Sequence, residues 1–441
     1  MSAASSAGRR STIAGRLCAL AALLGAALPV VGLWSAAPAM AQDNLSFMRT
    51  GAESARTSSD TPYDREFIKE WEANPPKGFP TLAKANIAPT KNAIALYTDI
   101  VAKGGWKTLP EAQQMRSGDS GSTVAILRER LTLSGDLKDA PGAFSSANHF
   151  DNGVEKAVKR FQASNGLTPT GIVDKRTIAA LNVPASARLK QLKQGLQRLE
   201  EWSRSAAKRY VVVNIPAAQI EAIDGDQVVS RHAGVVGKLD RPTPLLKSAI
   251  TDLNFNPVWT LPPTVIQKDL IPKGREMQKG GKNVLTKFGI DAYDGAGKKL
   301  DPEKINWSSG MPMALAYKQQ PGKENPMGFL KINFDSAHSV YMHDTPSDNL
   351  FGRNFRAASS GCVRVQGIEQ LAQWLLADNG GWTAERIKQL KETRERQDVR
   401  LKKSMPLYFV YITAWATDDG VVQFRRDLYN KDGVGATASA Y

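Results

Sequence analysis

The sequence predicts an α+β multidomain protein, helical in its first half and mostly antiparallel β in its second. Three observations carry that reading. Apolar residues before position 208 recur at helical spacing between prolines and glycines. From Arg209 onward they alternate or run together in short strand-like stretches bounded by turns. A polar stretch rich in Lys, Gly and Asp, 262–310, then interrupts the β part as an insertion with the character of a lid. The chain of 441 residues is long enough for two or three domains, and 42% hydrophobic with 23% charged residues is ordinary for a globular protein.

Residues 1–41 read as an export signal. Arg9, Arg10 and Arg16 precede the apolar stretch Leu17 to Leu33, and Ala39-Met40-Ala41 offers a small-x-small cleavage pattern. This predicts a periplasmic protein, with an uncleaved inner-membrane anchor as the alternative. Residues 42–60, rich in Ser, Ala and Thr, read as a disordered leader. Over 61–116, fragments such as REFIKEWEA and KNAIALYTDIVAKGGW predict a small helical scaffold.

Residues 117–183 read as a three-helix module. Val124, Leu127 and Leu131 share one helix face, Asp151 is placed to cap a second helix, and Asp174 to cap a third that stops before Pro184. Residues 184–208 predict a connecting helix with Leu189, Leu192, Leu196 and Leu199 on one side and a solvated basic stripe on the other. The β domain, 209–430, starts with YVVVNIP and a hairpin about Asp224-Gly225. It continues through LKSAITDLNF, GFLKINF and SVYMHD to a final pair, LYFVYITAW and VVQFRRDLY. Helices are expected at Ile368 to Leu376 and Ala384 to Lys403.

Of the two cysteines, Cys18 falls in the signal, so the exported chain keeps Cys362 alone and forms no internal disulfide. A lone thiol in an oxidising compartment suggests chemistry, with a buried structural cysteine as the plain alternative. The net charge of +15 becomes +12 without the three arginines of 1–41, which favours anionic polymers of the cell surface. No zinc-finger or RNA-binding signature points to nucleic acid. His149, His232 and His338 have no second ligand at metal spacing, so no metal is expected, and no cofactor motif is present.

The chemistry concentrates in YMHDTPSDNLFGRNFRAASSGCVRV, 341–365. A thiol nucleophile needs a base and donors for the oxyanion. His343, at a strand end, is the base candidate, and the backbone N–H groups at Gly361 and Cys362 are the donor candidates. Tyr341 alternates with His343 and so shares its face. Arg364 and Arg356 are candidates for gripping a substrate carboxylate through a two-pronged guanidinium. Ser360 reads chiefly as shaping the loop.

HDTP, twelve residues, then SSGCVRV resembles the catalytic signature of the L,D-transpeptidases, cysteine enzymes that cross-link peptidoglycan. Commoner members read Ser/Thr-His-Gly-Cys-x-Asn. The Ser360 and Arg364 found here resemble the large periplasmic branch, which carries a peptidoglycan-binding module ahead of the catalytic domain. FDNGVEKAVKRFQASNGLTPTGIVDKRTIAALNVP resembles that module, and FNPVWTLPPTVI and FVYITAW also resemble the branch, so the likeness spans roughly 80–430. The resemblance implies that Cys362 attacks the third residue, usually meso-diaminopimelate, of a tetrapeptide stem and releases D-alanine. The side-chain amine of a second stem then takes the acyl group in a 3→3 cross-link. His343 would be the base, oriented by a backbone carbonyl for which that of Asp344 is the candidate, and carbapenems would acylate Cys362. Water in place of the amine would make an L,D-carboxypeptidase or an enzyme that detaches proteins from the wall. A protein amine would attach an outer-membrane protein, and a catalytically silent wall-binding scaffold is the rival from another class.

Overall fold

The computed structural model describes residues 78–111, 114–138 and 146–435. The signal, the leader and REFIKEWEA lie outside the described residues. Among those described, no helix is long and apolar enough to cross a membrane.

Helix α1 (Ile87–Ala102) precedes a module of three helices, α2 (Ser122–Leu133), α3 (Asn152–Ser164) and α4 (Lys175–Leu181). The caps form where the sequence puts them: Asp151 accepts from the amide of Val154 and Asp174 from that of Thr177. Leu127, Leu131, Val154, Val158, Phe161, Ile178 and Leu181 close one small core.

Helix α5 (Ala185–Ser203) then carries the chain to the β domain. Its Gly195 lies flush against the strand beyond, since a Cβ there would stand 1.8 Å from the carbonyl oxygen of Ala414. The basic stripe expected to be solvated is in part buried. Arg188, 1% exposed, donates to Gln191, to Asn165 and to the carbonyl of Ala180. Arg198 donates to the carbonyl of Tyr411 and pairs with Asp432 at 2.6 Å. These guanidiniums fasten the helix to the module and to the β domain, a use that helical spacing does not reveal.

The β domain is built on β1 (Arg209–Asn214), β2 (Gln219–Asp224), β3 (Gln227–Gly237) and β4 (Leu246–Phe255). The insertion adds β5 (Trp259–Thr260), α6 (Ile271–Lys279), α7 (Val284–Phe288), β6 (Ile290–Tyr293) and β7 (Ala316–Gln319). Then come β8 (Leu330–Phe334), β9 (Met342–His343), β10 (Ala357–Ser359), β11 (Val363–Val365), α8 (Ile368–Leu375), α9 (Ala384–Thr393), β12 (Gln397–Val410), β13 (Ala414–Ala416) and β14 (Val422–Phe424).

The main sheet runs β10-β3-β11-β9-β8-β4-β12-β1-β2, and β2 pairs back onto β3, so it closes on itself. Most pairs are antiparallel; β1–β12, β9–β11 and β3–β10 are parallel. Strand β1 reads as continuous apolar sequence because both its faces are covered. Val211 and Val213 join the inner core with Ile332, Met342, Val363 and Leu371, while Tyr210 and Val212 pack outward under Leu199 of α5.

One helix expectation is corrected. The segment up to Lys403 is helical only to Thr393, and from Gln397 it is strand, paired with β4 from Gln397↔Phe255. Its charged residues are exposed strand positions rather than one side of a helix.

The insertion is wider than 262–310. Everything between β4 and β8 folds about its own core of Trp259, Leu270, Phe288, Trp307 and Tyr317, with the three-stranded sheet β5-β7-β6. Its two ends are tied together by Asn325 Nδ2 donating to the carbonyl of Pro257, at 3.0 Å.

Candidate active site

Strand pairing alone assembles the site. In the parallel pair β9–β11, Met342 opposes Val363 and His343 opposes Arg364. Met342 and Val363 are fully buried in the core. Tyr341, His343, Cys362 and Arg364 therefore share the other face. On the far side of β9, Lys331 of β8 opposes His343 and joins them on that face.

Cys362 is a free, half-buried cysteine just before β11, anchored next door by the Val363 amide donating to the carbonyl of Tyr341. Burial pushes its thiol up to about 11, against Tyr341 backbone and hydroxyl hydrogen bonds and the cations Lys331 and Arg364, which all favour the thiolate. His343 is 3% exposed, and burial, then Arg364, push its imidazole down to about 3, against the Asp344 carbonyl. The resting pair is thus a neutral thiol and a neutral imidazole. His343 Nδ1 meets the carbonyl oxygen of Asp344. A carbonyl can only accept, so Nδ1 carries the proton and Nε2 presents its lone pair. The Asp344 carboxylate is engaged elsewhere, accepting from the amide of Phe329 at 2.8 Å.

The cysteine loop departs from expectation at Gly361. Its φ of +114° is one that favours glycine, but its amide donates to Ser359 Oγ at 3.1 Å and is not free for an oxyanion. Ser359 Oγ in turn donates to the carbonyl of Cys362, and Thr243 Oγ donates to the carbonyl of Gly361 at 2.8 Å. The amide of Cys362 makes no hydrogen bond among the described residues, which leaves it as the donor next to the sulfur. Gly361 shapes the loop instead.

The two arginines separate cleanly. Arg356 lies away from the cysteine face, and its guanidinium donates to the carbonyls of Gly234, Arg353, Ala217 and Ala218. It is a backbone clamp, not a free carboxylate grip, which corrects its assignment to substrate binding. Arg364 is 3% exposed, and it makes no side-chain hydrogen bond or ion pair among the described residues; its buried Nε has no acceptor. Ser360 is exposed, and its Oγ accepts from Arg241 at 2.9 Å. Arg241 also pairs at 2.7 Å with Asp269, a buried residue of the insertion. Tyr341 meets the insertion too, its hydroxyl accepting from Trp259 Nε1 at 2.7 Å.

Sequence reasoning missed Lys331, Ser359, Thr243, Arg241 and Asp269. Lys331 left a trace as the polar position in the alternation of LKINF, and Ser359 stood inside the SSGCVRV motif without a role of its own. The other histidines stay outside the site: His232, 2% exposed, bonds Ser230 and the carbonyl of Gln366. Among the described residues no group of three or more His, Cys, Asp or Glu is placed to hold a metal.

Residues 208–393 match the L,D-transpeptidase catalytic domain, and 120–181 match a domain described as a putative peptidoglycan binding domain. A Haemophilus influenzae protein named "Putative L,D-transpeptidase" is 33% identical over 224 residues, covering 50% of this chain and 44% of the relative. The matched chain thus spans under half the length of that curated relative. Among solved structures, the L,D-transpeptidase of Xylanimonas cellulosilytica (residues 123–326) is 14% identical, covers 68% of this chain and 99% of its own, and gives a TM-score of 0.22. That of Stackebrandtia nassauensis is 13% identical, with coverages of 67% and 94% and a TM-score of 0.26. Likenesses that low add nothing to the sequence match. Cys362 and His343 both lie inside the segment, residues 208–393, that matches the L,D-transpeptidase catalytic domain, and ahead of it residues 120–181 match a putative peptidoglycan binding domain.

Proposed function

We propose that the protein is a peptidoglycan L,D-transpeptidase that works outside the inner membrane and forms 3→3 cross-links from tetrapeptide stems through a Cys362 thioester. The observation that supports this best is Arg364: a buried guanidinium with no hydrogen bond or ion pair among the described residues, on one face with a half-buried thiol and an imidazole whose Nδ1 is held by the Asp344 carbonyl. Such a group awaits an anion, and a stem peptide carries carboxylates.

In the first step Cys362 Sγ attacks the carbonyl carbon of the third stem residue while its proton passes to His343 Nε2. The oxyanion that forms faces the amide of Cys362. The C–N bond to D-alanine breaks, the leaving amine takes the proton from Nε2, and a thioester remains. The side-chain amine of a second stem then attacks the thioester, giving its proton to Nε2. The thiolate leaves and recovers that proton, so thiol and neutral imidazole are restored. A carboxylate on Arg364 would also offset one of the charges that hold His343 down, so substrate would make the base stronger. The insertion, joined to the site through Trp259–Tyr341 and Asp269–Arg241, would act as the cover over the donor stem.

The test is incubation of the full chain with purified tetrapeptide muropeptides and mass analysis of the products. A dimer lacking one D-alanine is expected. A tripeptide monomer alone would make the enzyme a carboxypeptidase, and unchanged substrate would reduce the chain to a wall-binding scaffold.

A further inference from the structure

A second feature stands apart from the cysteine face. Between the three-helix module, the outer side of the barrel and the β13–β14 hairpin lies a cleft of about 710 Å³. None of Tyr341, His343, Cys362 or Arg364 lines it. The module contributes Arg130, Phe161 and Leu167, and the barrel contributes the loop from Phe351 to Arg356. Its two main walls are fastened directly, since the amide and hydroxyl of Thr168 donate to Asn354 Oδ1 at 3.2 and 3.3 Å. Arg425 Nη1 donates to the carbonyl of Ser164 at 2.9 Å, which ties in the hairpin.

The lining is cationic: seven of its side chains are Lys or Arg and two are Asp. Most of that charge is spent inside the fold. Arg231 pairs with Glu221, Arg160 holds the carbonyl of Asp136, and Arg356 and Arg425 hold carbonyls. Three buried donors are left over. Arg130, 2% exposed, donates through Nε to Leu181 but leaves Nη1 without an acceptor. Arg353 Nε and Asn354 Nδ2 likewise have none among the described residues. These three atoms have almost no accessible surface, and the Arg130 guanidinium lies over the Trp106 ring, but the Nη groups of Arg353 make no hydrogen bond among the described residues and leave a cation in the lining. The apolar rings of Phe161, Phe351 and Phe424 share the lining, which suits a ligand with both polar and hydrocarbon parts.

We propose that this cleft binds a second stretch of peptidoglycan, a carboxylate-bearing stem whose carboxylate pairs with Arg353. The choice of polymer rests on the proposed function; the acceptor-rich, anionic chemistry rests on the cleft itself. The binding site of the module is then shared with the barrel, rather than lying wholly within 117–183. Phe351 also packs in one cluster with Val235, the cross-strand neighbour of Arg364, so the cleft and the catalytic face share a wall.

The experiment separates this site from the catalytic one by blocking the latter. The full chain is first acylated with a carbapenem, and failure to acylate at Cys362 would count against the proposed function alone. Binding of a soluble disaccharide-tetrapeptide to the acylated chain is then measured by calorimetry, or to unacylated Cys362→Ala protein if acylation fails. Saturable binding is expected, weakened at least about tenfold by Arg353→Gln through the lost charge-assisted bond. Asn354→Asp, which sets a negative charge against the stem carboxylates, should weaken it as much. Melting temperature checks that each variant is folded, and the two variants stand in for each other if one is not. An amidated stem should bind less well than the free acid. No binding to the blocked chain, unchanged binding in the folded variants, or tighter binding of a phosphate polymer such as a DNA oligonucleotide would each overturn the assignment.

Discussion

Arg356 and Arg364 suffer the same burial, yet truncating them should move the protein in opposite directions. Burial pulls both guanidiniums down from 12.5 to about 10. At about 1.4 kcal/mol for each such unit, the charged form of either is disfavoured by roughly 3 kcal/mol before any partner is counted. At Arg356 four carbonyls answer that cost. Arg356→Met strands those four acceptors at about 1–3 kcal/mol each, relieves the roughly 3 kcal/mol, and should leave a net loss of about 1–9 kcal/mol. At Arg364 no hydrogen bond or ion pair among the described residues answers it, and its buried Nε has no acceptor. Arg364→Met, of similar length and apolar, should raise stability by about 1–3 kcal/mol, since replacing uncompensated buried charge with packing is commonly stabilising.

Function should run the other way. If Arg364 grips a stem carboxylate, its loss should cost about 2–5 kcal/mol of binding, a fall in kcat/KM between roughly thirtyfold and several thousandfold. Arg356→Met should keep kcat/KM within about threefold once the surviving folded fraction is counted. The assays are thermal melting, which should shift by several degrees in opposite senses, and muropeptide turnover. An Arg364→Met protein that is less stable with normal KM would refute the reasoning. So would an Arg356→Met protein of normal melting temperature and raised KM, which would return Arg356 to substrate binding.

Lys331→Met should slow carbapenem acylation about threefold to tenfold, because Lys331 is one of the cations favouring the thiolate, while Lys331→Arg should largely restore the rate. Gly361→Ala forces a side chain to adopt φ +114°, so it should cut acylation by about a hundredfold with only a small fall in melting temperature. Alkylation of Cys362 by iodoacetamide should keep rising through pH 10, as expected for a thiol pushed up to about 11; a plateau below pH 8 would mean a preformed thiolate–imidazolium pair. His232, pushed down to about 4 by burial, favours the folded state above pH 6.5 and loses that contribution as pH falls, because only the unfolded chain binds its proton there. Going from pH 7 to 4.5, wild type should lose about 3 kcal/mol relative to His232→Gln, as read by urea melts at both pH values.

What the sequence disclosed and what it hid follow from the range of the forces involved. Asp151 and Asp174 are legible because a cap is a contact three residues long. LKSAITDLNF is legible because its strand spans those ten residues. The cysteine and histidine were legible as a motif, and β9–β11 pairing explains why nineteen residues of separation bring them to one face. Local pattern fails when meaning comes from across the fold. QDVRLKK reads as a helix surface until β4 is known to lie beside it. Arg356 and Arg364 look alike in sequence, and only the carbonyls of Gly234, Ala217 and Ala218 set them apart. Asp269 and Arg241 meet across 28 residues, with no pattern to announce it.

The neutrality of the pair also bears on how a lone thiol persists in an oxidising compartment, where the proposed function places it. Oxidants attack the thiolate, so a thiol held near 11 is largely spared at neutral pH. The same burial that protects Cys362 would leave it idle without help, and the help must arrive with the substrate. Lys331 and Arg364 already bias the sulfur toward ionisation, while burial, and after it Arg364, hold the imidazole of His343 below the range in which it would be protonated. A carboxylate docking on Arg364 shifts that balance at the moment it is useful, making the base stronger just as the carbonyl reaches the sulfur. Reactivity then depends on the carboxylate as well as on the scissile bond. A stem amidated at that carboxylate should react more slowly even when its KM is matched by raising concentration. Equal kcat for the amidated and free-acid stems would mean that Arg364 binds without tuning His343.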